Sequence, residues 1–118
     1  MATPATTLYH NPRCSKSRQT LELLRARGLE PEIVEYLKTP PSARELERIL
    51  TLLGREPREL MRSGEPEYQE LGLDDPSLDR QALIRAMVEH PKLIERPILL
   101  ANRKAALGRP PEAVLEIL

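Results

Sequence analysis

The sequence predicts an α/β fold in which a four-stranded mixed sheet carries an inserted helical segment. Short runs of β-forming residues occur near both ends of the 118-residue chain. The middle of the chain instead repeats its apolar side chains at the spacing of an α-helix. The length suits one domain, so we expect residues 1–118 to form a single domain.

The first third of the chain has the pattern of a βαβ unit. Residues 6–10 are rich in β-formers and end at an Asn-Pro pair, which predicts a strand. A helical pattern begins at Cys14 and stops at Gly28, and residues 32–37 predict a second strand. Two strands joined by a helix should be parallel, with a right-handed connection.

The middle of the chain predicts helices. Ser42 begins a capping box, and apolar residues follow at helical spacing until Gly54. Pro57 suits the first turn of a short helix, and Asp79 can cap a further one. Residues 63–76 hold glycine, proline and acids with little periodicity, which predicts that this segment is mostly loop.

The last third of the chain returns to strands. Residues 98–101 read as a buried strand, 102–104 as a turn and 105–107 as the returning strand of a hairpin. Residues 110–118 predict a final helix whose inward side chains are Val114, Leu115 and Leu118. The order βαβ, helices, ββα is that of a thioredoxin-like sheet with an inserted helical segment.

Composition narrows the class of protein. Eighteen basic residues balance eighteen acidic ones, and aromatic residues are few, which argues against nucleic-acid binding. A single cysteine excludes an internal disulfide and indicates a reducing compartment. Residues 1–7 lack the layout of a signal peptide, and no apolar run reaches the ~20 residues that cross a bilayer. We therefore expect a soluble, cytoplasmic protein that is not bound to a membrane.

The single cysteine, Cys14, lies at the junction between the first predicted strand and the first predicted helix. Arg13, Lys16 and Arg18 surround it, and no acidic residue occurs before Glu22. The region around the sulfur is therefore positive in a chain whose overall charge is balanced. A helix start also stabilises anions, so this placement favours an ionised thiol.

An ionised cysteine at this place needs more than the helix dipole. A free thiol has a pKa of ~8.5, and a thiol that is mostly ionised at neutral pH needs roughly 2.7 kcal/mol of preference for its charged form. A helix start supplies ~0.3–1 kcal/mol, or ~2 in partly buried sites. Nearby cations must supply the rest, and we expect His10 and Arg18 to lower the pKa of Cys14.

The spacing around the cysteine excludes several chemistries. Ser17 stands where a dithiol motif has its second cysteine, and Thr20 stands where a phosphatase loop has its arginine. His10 and His90 lie far apart along a chain with one cysteine, so we expect no metal site. The remaining possibility is a single reactive thiolate. Any adduct that forms on it must be resolved by thiols from outside the chain. The alternative is an inert, buried cysteine.

Four segments together resemble the glutaredoxin-coupled arsenate reductases. They are residues 10–18 (His-Asn-Pro-Arg-Cys-Ser-Lys-Ser-Arg), Arg62, residues 95–98 (Glu-Arg-Pro-Ile) and residues 108–112 (Gly-Arg-Pro-Pro-Glu). The resemblance spans essentially the whole chain, and its motifs are specific in combination.

This resemblance implies a thioredoxin-like fold and a defined reaction. Cys14 would attack arsenate, glutathione would attack the resulting adduct, and glutaredoxin would remove the glutathione to leave an arsenic species that hydrolyses to arsenite. Arsenate, glutathione and glutaredoxin are the implied partners, with glutathione as co-substrate and no bound cofactor. We expect a monomer.

The resemblance also implies roles for individual residues. Arg62, Arg96 and Arg109 would hold the oxyanion, as bidentate donors suited to tetrahedral anions. His10 would help to depress the pKa of the cysteine. Pro97 would be the cis proline that precedes the third strand of this fold and faces the catalytic thiol.

Other functions stay open at this stage. Better-known members of the family have Gly-Thr after the cysteine, whereas this chain has Ser15-Lys16. The substrate could therefore be another oxyanion, or the protein could be a monothiol glutaredoxin-like oxidoreductase acting on glutathione mixed disulfides or holding an iron–sulfur cluster. A non-enzymatic regulator that binds RNA polymerase is a third hypothesis, although such relatives carry a second cysteine where this chain has Ser17.

Overall fold

The computed structural model describes residues 6–118, so the expectation about a targeting segment falls mostly outside the described residues. The described chain forms two compact units. The first comprises residues 6–39 and 96–118, and the second comprises residues 40–95. That residues 1–118 form a single domain stays a prediction.

The first unit is built on a four-stranded mixed sheet. Its strands are β1 (Thr7–His10), β2 (Glu32–Glu35), β3 (Ile98–Ala101) and β4 (Lys104–Leu107). They lie in the order β2-β1-β3-β4. β1 is parallel to β2 and antiparallel to β3, and β3 is antiparallel to β4. The four-stranded sheet and the βαβ and ββα order that the sequence predicts are confirmed.

Helix α1 (Ser15–Ala26) connects the two parallel strands and covers the sheet. Its buried face repeats at helical spacing and consists of Ser17, Thr20, Leu21 and Leu24. The core that it shares with the sheet also contains Leu8, Leu99, Ala101 and Val114. Leu8, Leu24 and Leu99 have no exposed surface, so leucine supplies much of this core.

The hairpin between β3 and β4 is tighter than the sequence predicts. Asn102 and Arg103 have φ of 53° and 63°, which is the geometry of a two-residue hairpin turn. Lys104 already pairs with Ala101, so it belongs to β4 rather than to the turn.

The last element is a 3₁₀ helix, Pro111–Ile117, rather than an α-helix. Val114 is fully buried, as the sequence predicts, and Leu115 is partly buried. The inward position predicted for Leu118 is wrong, since its side chain is 42% exposed. The helix stops at Ile117, so the helical periodicity no longer directs the next side chain.

The second unit is helical. Helix α2 (Ala43–Leu53) begins at the capping box of Ser42 and ends at Gly54, whose φ is 67°. Asp79 caps helix α4 (Arg80–Glu89), which packs against α2. Within residues 6–118 no helix combines the length and the apolar character that crossing a membrane would take.

The segment 63–76 is mostly irregular, as the sequence predicts. It contains a short helix, α3 (Pro66–Glu70), with proline in its first turn. None of the five residues of α3 is buried, so no apolar periodicity marks the helix in the sequence. Strand β2 ends at Glu35, two residues earlier than the sequence predicts. The chain turns there, because the carbonyl of Glu35 accepts the N–H groups of Lys38 and Thr39.

The capping box at Ser42 can be tested by substitution. The Ser42 hydroxyl accepts the backbone N–H of Glu45 at 3.1 Å. Removing this bond by Ser42→Ala should lower the free energy of unfolding by about 1 kcal/mol, measured by urea denaturation. Ser63→Ala is the control, because Ser63 is exposed and lies in a turn outside the helices. Equal midpoints for the two variants would contradict the assignment.

Candidate active site at Cys14

Cys14 is the N-cap residue of α1. Its backbone is extended (φ −95°, ψ 124°), and its carbonyl accepts the N–H of Arg18 at 3.0 Å as the first bond of the helix. Its own N–H donates to the carbonyl of Asn11 at 3.0 Å. The thiol is partly buried. The sulfur therefore lies at the end of the helix where backbone N–H groups have no intrahelical acceptor.

The loop before the cysteine is held by local hydrogen bonds. The Asn11 side-chain oxygen accepts the N–H of Arg13 at 3.0 Å, and the N–H of Asn11 donates to the hydroxyl of Ser17 at 3.0 Å. A guanidinium nitrogen of Arg18 donates to the carbonyl of Pro12 at 2.9 Å. These bonds tie the loop to the first turn of α1 and so fix the approach of the chain to the sulfur.

The pKa of Cys14 is lowered below the ordinary value of a thiol. Burial acts to raise it, because a charged sulfur loses hydration. The backbone N–H of Ser17, the guanidinium of Arg96 and the backbone N–H of Lys16 outweigh that effect by interacting with the sulfur. The site thus combines the helix start with one neighbouring side-chain cation.

Arg96 and Arg109 lie side by side. The Nε of Arg109 donates to the backbone carbonyl of Arg96 at 2.8 Å. The Arg96–Pro97 peptide bond is cis, and the carbonyl of Pro97 accepts the N–H of Gly108 at 2.9 Å. Arg96 is partly buried and Arg109 is exposed. The structure therefore places one predicted arginine at the sulfur and a second beside that arginine.

His10 and Arg18 have other partners. The ring nitrogen Nδ1 of His10 lies 2.5 Å from the hydroxyl of Ser17, and the residue is only 6% exposed. Burial lowers the pKa of His10; Arg25 and Arg18 also lower it, while Glu35 opposes them. The imidazole is therefore mostly neutral at neutral pH. That His10 and Arg18 lower the pKa of the cysteine stays a prediction.

Arg62 belongs to the second unit. Its Nη1 donates to Glu95 at 3.0 Å, and its Nε lies 3.4 Å from a carboxylate oxygen of Glu65. The side chain is 26% exposed, so both ion pairs are partly shielded from water. The guanidinium charge is thereby balanced locally by two carboxylates. Its assignment to oxyanion binding stays a prediction.

The sequence predicts that the helix start stabilises an ionised sulfur, and the backbone N–H groups of Lys16 and Ser17 do interact with the sulfur of Cys14. One residue beside the site was missed by sequence reasoning. It is Gly108, and its place between a strand and an arginine gave only a weak hint. Among residues 6–118 there is no group of three or more His, Cys, Asp or Glu side chains that could hold a metal ion.

Fold and site together define a thioredoxin-like protein with a single cysteine, of lowered pKa, at a helix start. A sequence model described as the ArsC family matches residues 9–117. The chain belongs to the ArsC family.

Individual relatives are similar over nearly their full lengths. The uncharacterized protein YfgD of Escherichia coli is 60% identical over 111 residues, which are 93% of this chain and 93% of that protein. An arsenate reductase of Neisseria meningitidis is 53% identical over 116 residues, covering 98% of this chain and 99% of its own. The solved structure of an arsenate reductase from Vibrio cholerae is 52% identical and superimposes with a TM-score of 0.95, covering 99% of this chain and all of that one.

The contribution of Arg96 to the ionisation of Cys14 gives a direct prediction. Arg96→Met should raise the pKa of Cys14 by about 1 pH unit, because a hydrogen-bonded cation beside the sulfur is lost. The pH dependence of alkylation by the neutral reagent iodoacetamide measures this pKa.

Arg27→Met is the matched control, since Arg27 is exposed and caps α1 at the opposite end of the helix from Cys14. The control should keep the wild-type alkylation midpoint. If Arg96→Met keeps it as well, Arg96 does not stabilise the thiolate.

Proposed function

We propose that this protein reduces arsenate to arsenite, with Cys14 as the nucleophile and with glutathione and glutaredoxin supplying the electrons. The observation on which the proposal rests is the convergence of the Arg96 guanidinium and the N–H groups of Lys16 and Ser17 on one partly buried sulfur. The names of the relatives from Neisseria meningitidis and Vibrio cholerae support the choice of arsenate.

Charge explains why arginines are needed beside this sulfur. A thiolate and a singly charged oxyanion 4 Å apart repel each other by about 4 kcal/mol at an effective dielectric constant of about 20. Arg96 interacts with the sulfur, and Arg109 is bonded to the backbone of Arg96. Their guanidinium groups are planar donors that match oxygens of a tetrahedral anion, so they offset the repulsion and orient the substrate.

In the first proposed step the Cys14 thiolate attacks the arsenic of H₂AsO₄⁻. A sulfur–arsenic bond forms, and one arsenate oxygen leaves as water after taking up a proton from solvent. The product is Cys14–S–AsO₃H⁻, in which arsenic is still pentavalent. The lowered pKa of Cys14 supplies the ionised nucleophile that this step requires.

The later proposed steps transfer two electrons to arsenic. Glutathione displaces a second oxygen as water and gives Cys14–S–AsO₂⁻–SG. A glutaredoxin thiolate then attacks the glutathione sulfur, so a mixed disulfide leaves and the electron pair of the arsenic–sulfur bond stays on arsenic. After two protons are taken up, the trivalent adduct Cys14–S–As(OH)₂ reacts with water to give As(OH)₃ and the free thiol.

The groups that lower the pKa of Cys14 also favour the release of the cysteine from arsenic at the end of the cycle. In the final hydrolysis the sulfur of Cys14 is the leaving group, and a thiol of low pKa leaves faster. Because the chain has one cysteine, it cannot form an internal disulfide to expel the product. Turnover therefore depends on thiols from outside, which is consistent with the proposed glutathione and glutaredoxin.

A coupled assay tests this function. Purified protein, arsenate, glutathione and glutaredoxin are combined with glutathione reductase, and oxidation of NADPH is followed. We expect arsenate-dependent oxidation that requires glutaredoxin and releases arsenite in equal amount, because each arsenate takes up two electrons. Cys14→Ser should abolish it, since a hydroxyl at this place remains protonated. Arsenate-dependent turnover no greater than that of Cys14→Ser would reject the proposal.

A further inference from the structure

Gly108 lies where three segments of the first unit meet. A Cβ atom added to it would be 2.5 Å from the Thr20 hydroxyl oxygen and 2.6 Å from Cγ of Pro97. Both distances are shorter than real Cβ contacts allow. The φ of Gly108 is not in the left-handed range, so a side chain is excluded by lack of space and not by backbone conformation.

Neither neighbour can move away easily. Thr20 is fully buried, and its hydroxyl donates to the carbonyl of Lys16 at 2.8 Å. Pro97 is buried and has a rigid ring, and its carbonyl accepts the N–H of Gly108 at 2.9 Å. A side chain at residue 108 would therefore have to push aside a buried, hydrogen-bonded hydroxyl and a proline ring, neither of which is a flexible side-chain end.

The three contacting residues each adjoin the site. Thr20 belongs to α1, whose first N–H groups interact with the Cys14 sulfur. Pro97 directly follows Arg96, and Gly108 directly precedes Arg109. The Arg109 side chain in turn donates to the Arg96 carbonyl at 2.8 Å. A shift at residue 108 would thus move the two arginine segments away from the helix that carries the sulfur.

We propose that Gly108 is a positioning residue, whose missing side chain lets the Arg96 and Arg109 segments close against α1 so that Arg96 reaches Cys14. The inference deepens the proposed function, because it concerns how the oxyanion-binding arginines are held. It does not depend on arsenate being the substrate, since the ionisation of Cys14 reports the position of Arg96 directly.

Gly108→Ala is the first test. We expect the iodoacetamide alkylation midpoint of Cys14 to rise by about 1 pH unit, as Arg96 withdraws from the sulfur. The sulfate concentration that half-protects Cys14 from alkylation should rise about tenfold, which corresponds to losing one charged hydrogen bond to the anion. Gly64→Ala is the control, because a Cβ there meets nothing within 4 Å and Gly64 lacks a positive φ.

Urea denaturation separates positioning from a merely structural role. A structural role would lower the unfolding midpoint of Gly108→Ala and leave the alkylation midpoint of the folded variant at the wild-type value, and that result would overturn the proposal. If the wild-type protein shows no arsenate turnover, the proposed function is rejected but the role of Gly108 is not. The alkylation measurement needs neither arsenate nor glutaredoxin.

A second variant covers the case in which Gly108→Ala does not fold. Thr20→Ala removes the atom at 2.5 Å but leaves Pro97 at 2.6 Å. The alkylation midpoint of Thr20→Ala/Gly108→Ala should therefore lie above that of Thr20→Ala, because the Cβ at residue 108 still meets the Pro97 ring. A double variant that titrates like Thr20→Ala would overturn the proposal.

Discussion

The site depends on the balance of forces at one sulfur atom. Burial of Cys14 favours the neutral thiol, and the Arg96 guanidinium together with the backbone N–H groups of Lys16 and Ser17 outweighs that effect. The two amides belong to the helix that Cys14 itself caps, whereas Arg96 comes from a separate segment before β3. The ionisation of Cys14 therefore depends on where that segment places Arg96.

The pairing of strands β3 and β4 determines the position of Arg96. Ile98 and Leu107 are partners in the antiparallel pair of β3 and β4, and the ladder continues outward in the Pro97–Gly108 hydrogen bond. Arg96 and Arg109 are the next residues beyond Pro97 and Gly108. The hairpin therefore brings together two arginines that are thirteen residues apart in sequence. The same geometry brings residue 108 against Thr20 of α1, where only glycine fits.

Local patterns in the sequence predicted much of this structure, because helix caps and strand alternation involve neighbouring residues. The capping box at Ser42, the cap at Asp79 and the mixed sheet all follow from such patterns. Contacts between distant segments did not follow in the same way. The partner of Arg96 and the tight contact of Gly108 depend on strand register, and the pairing of Arg62 with Glu95 depends on how the helical unit packs.

The most direct test is the ultraviolet absorption of the thiolate, recorded against pH as the difference between wild type and Cys14→Ser. The subtraction cancels the three tyrosines and leaves the signal of one sulfur. Because the pKa of Cys14 is lowered, the thiolate signal should have its midpoint below the free-thiol value of ~8.5. A midpoint at or above ~8.5 would show that the site does not favour the ionised sulfur, and it would contradict the account.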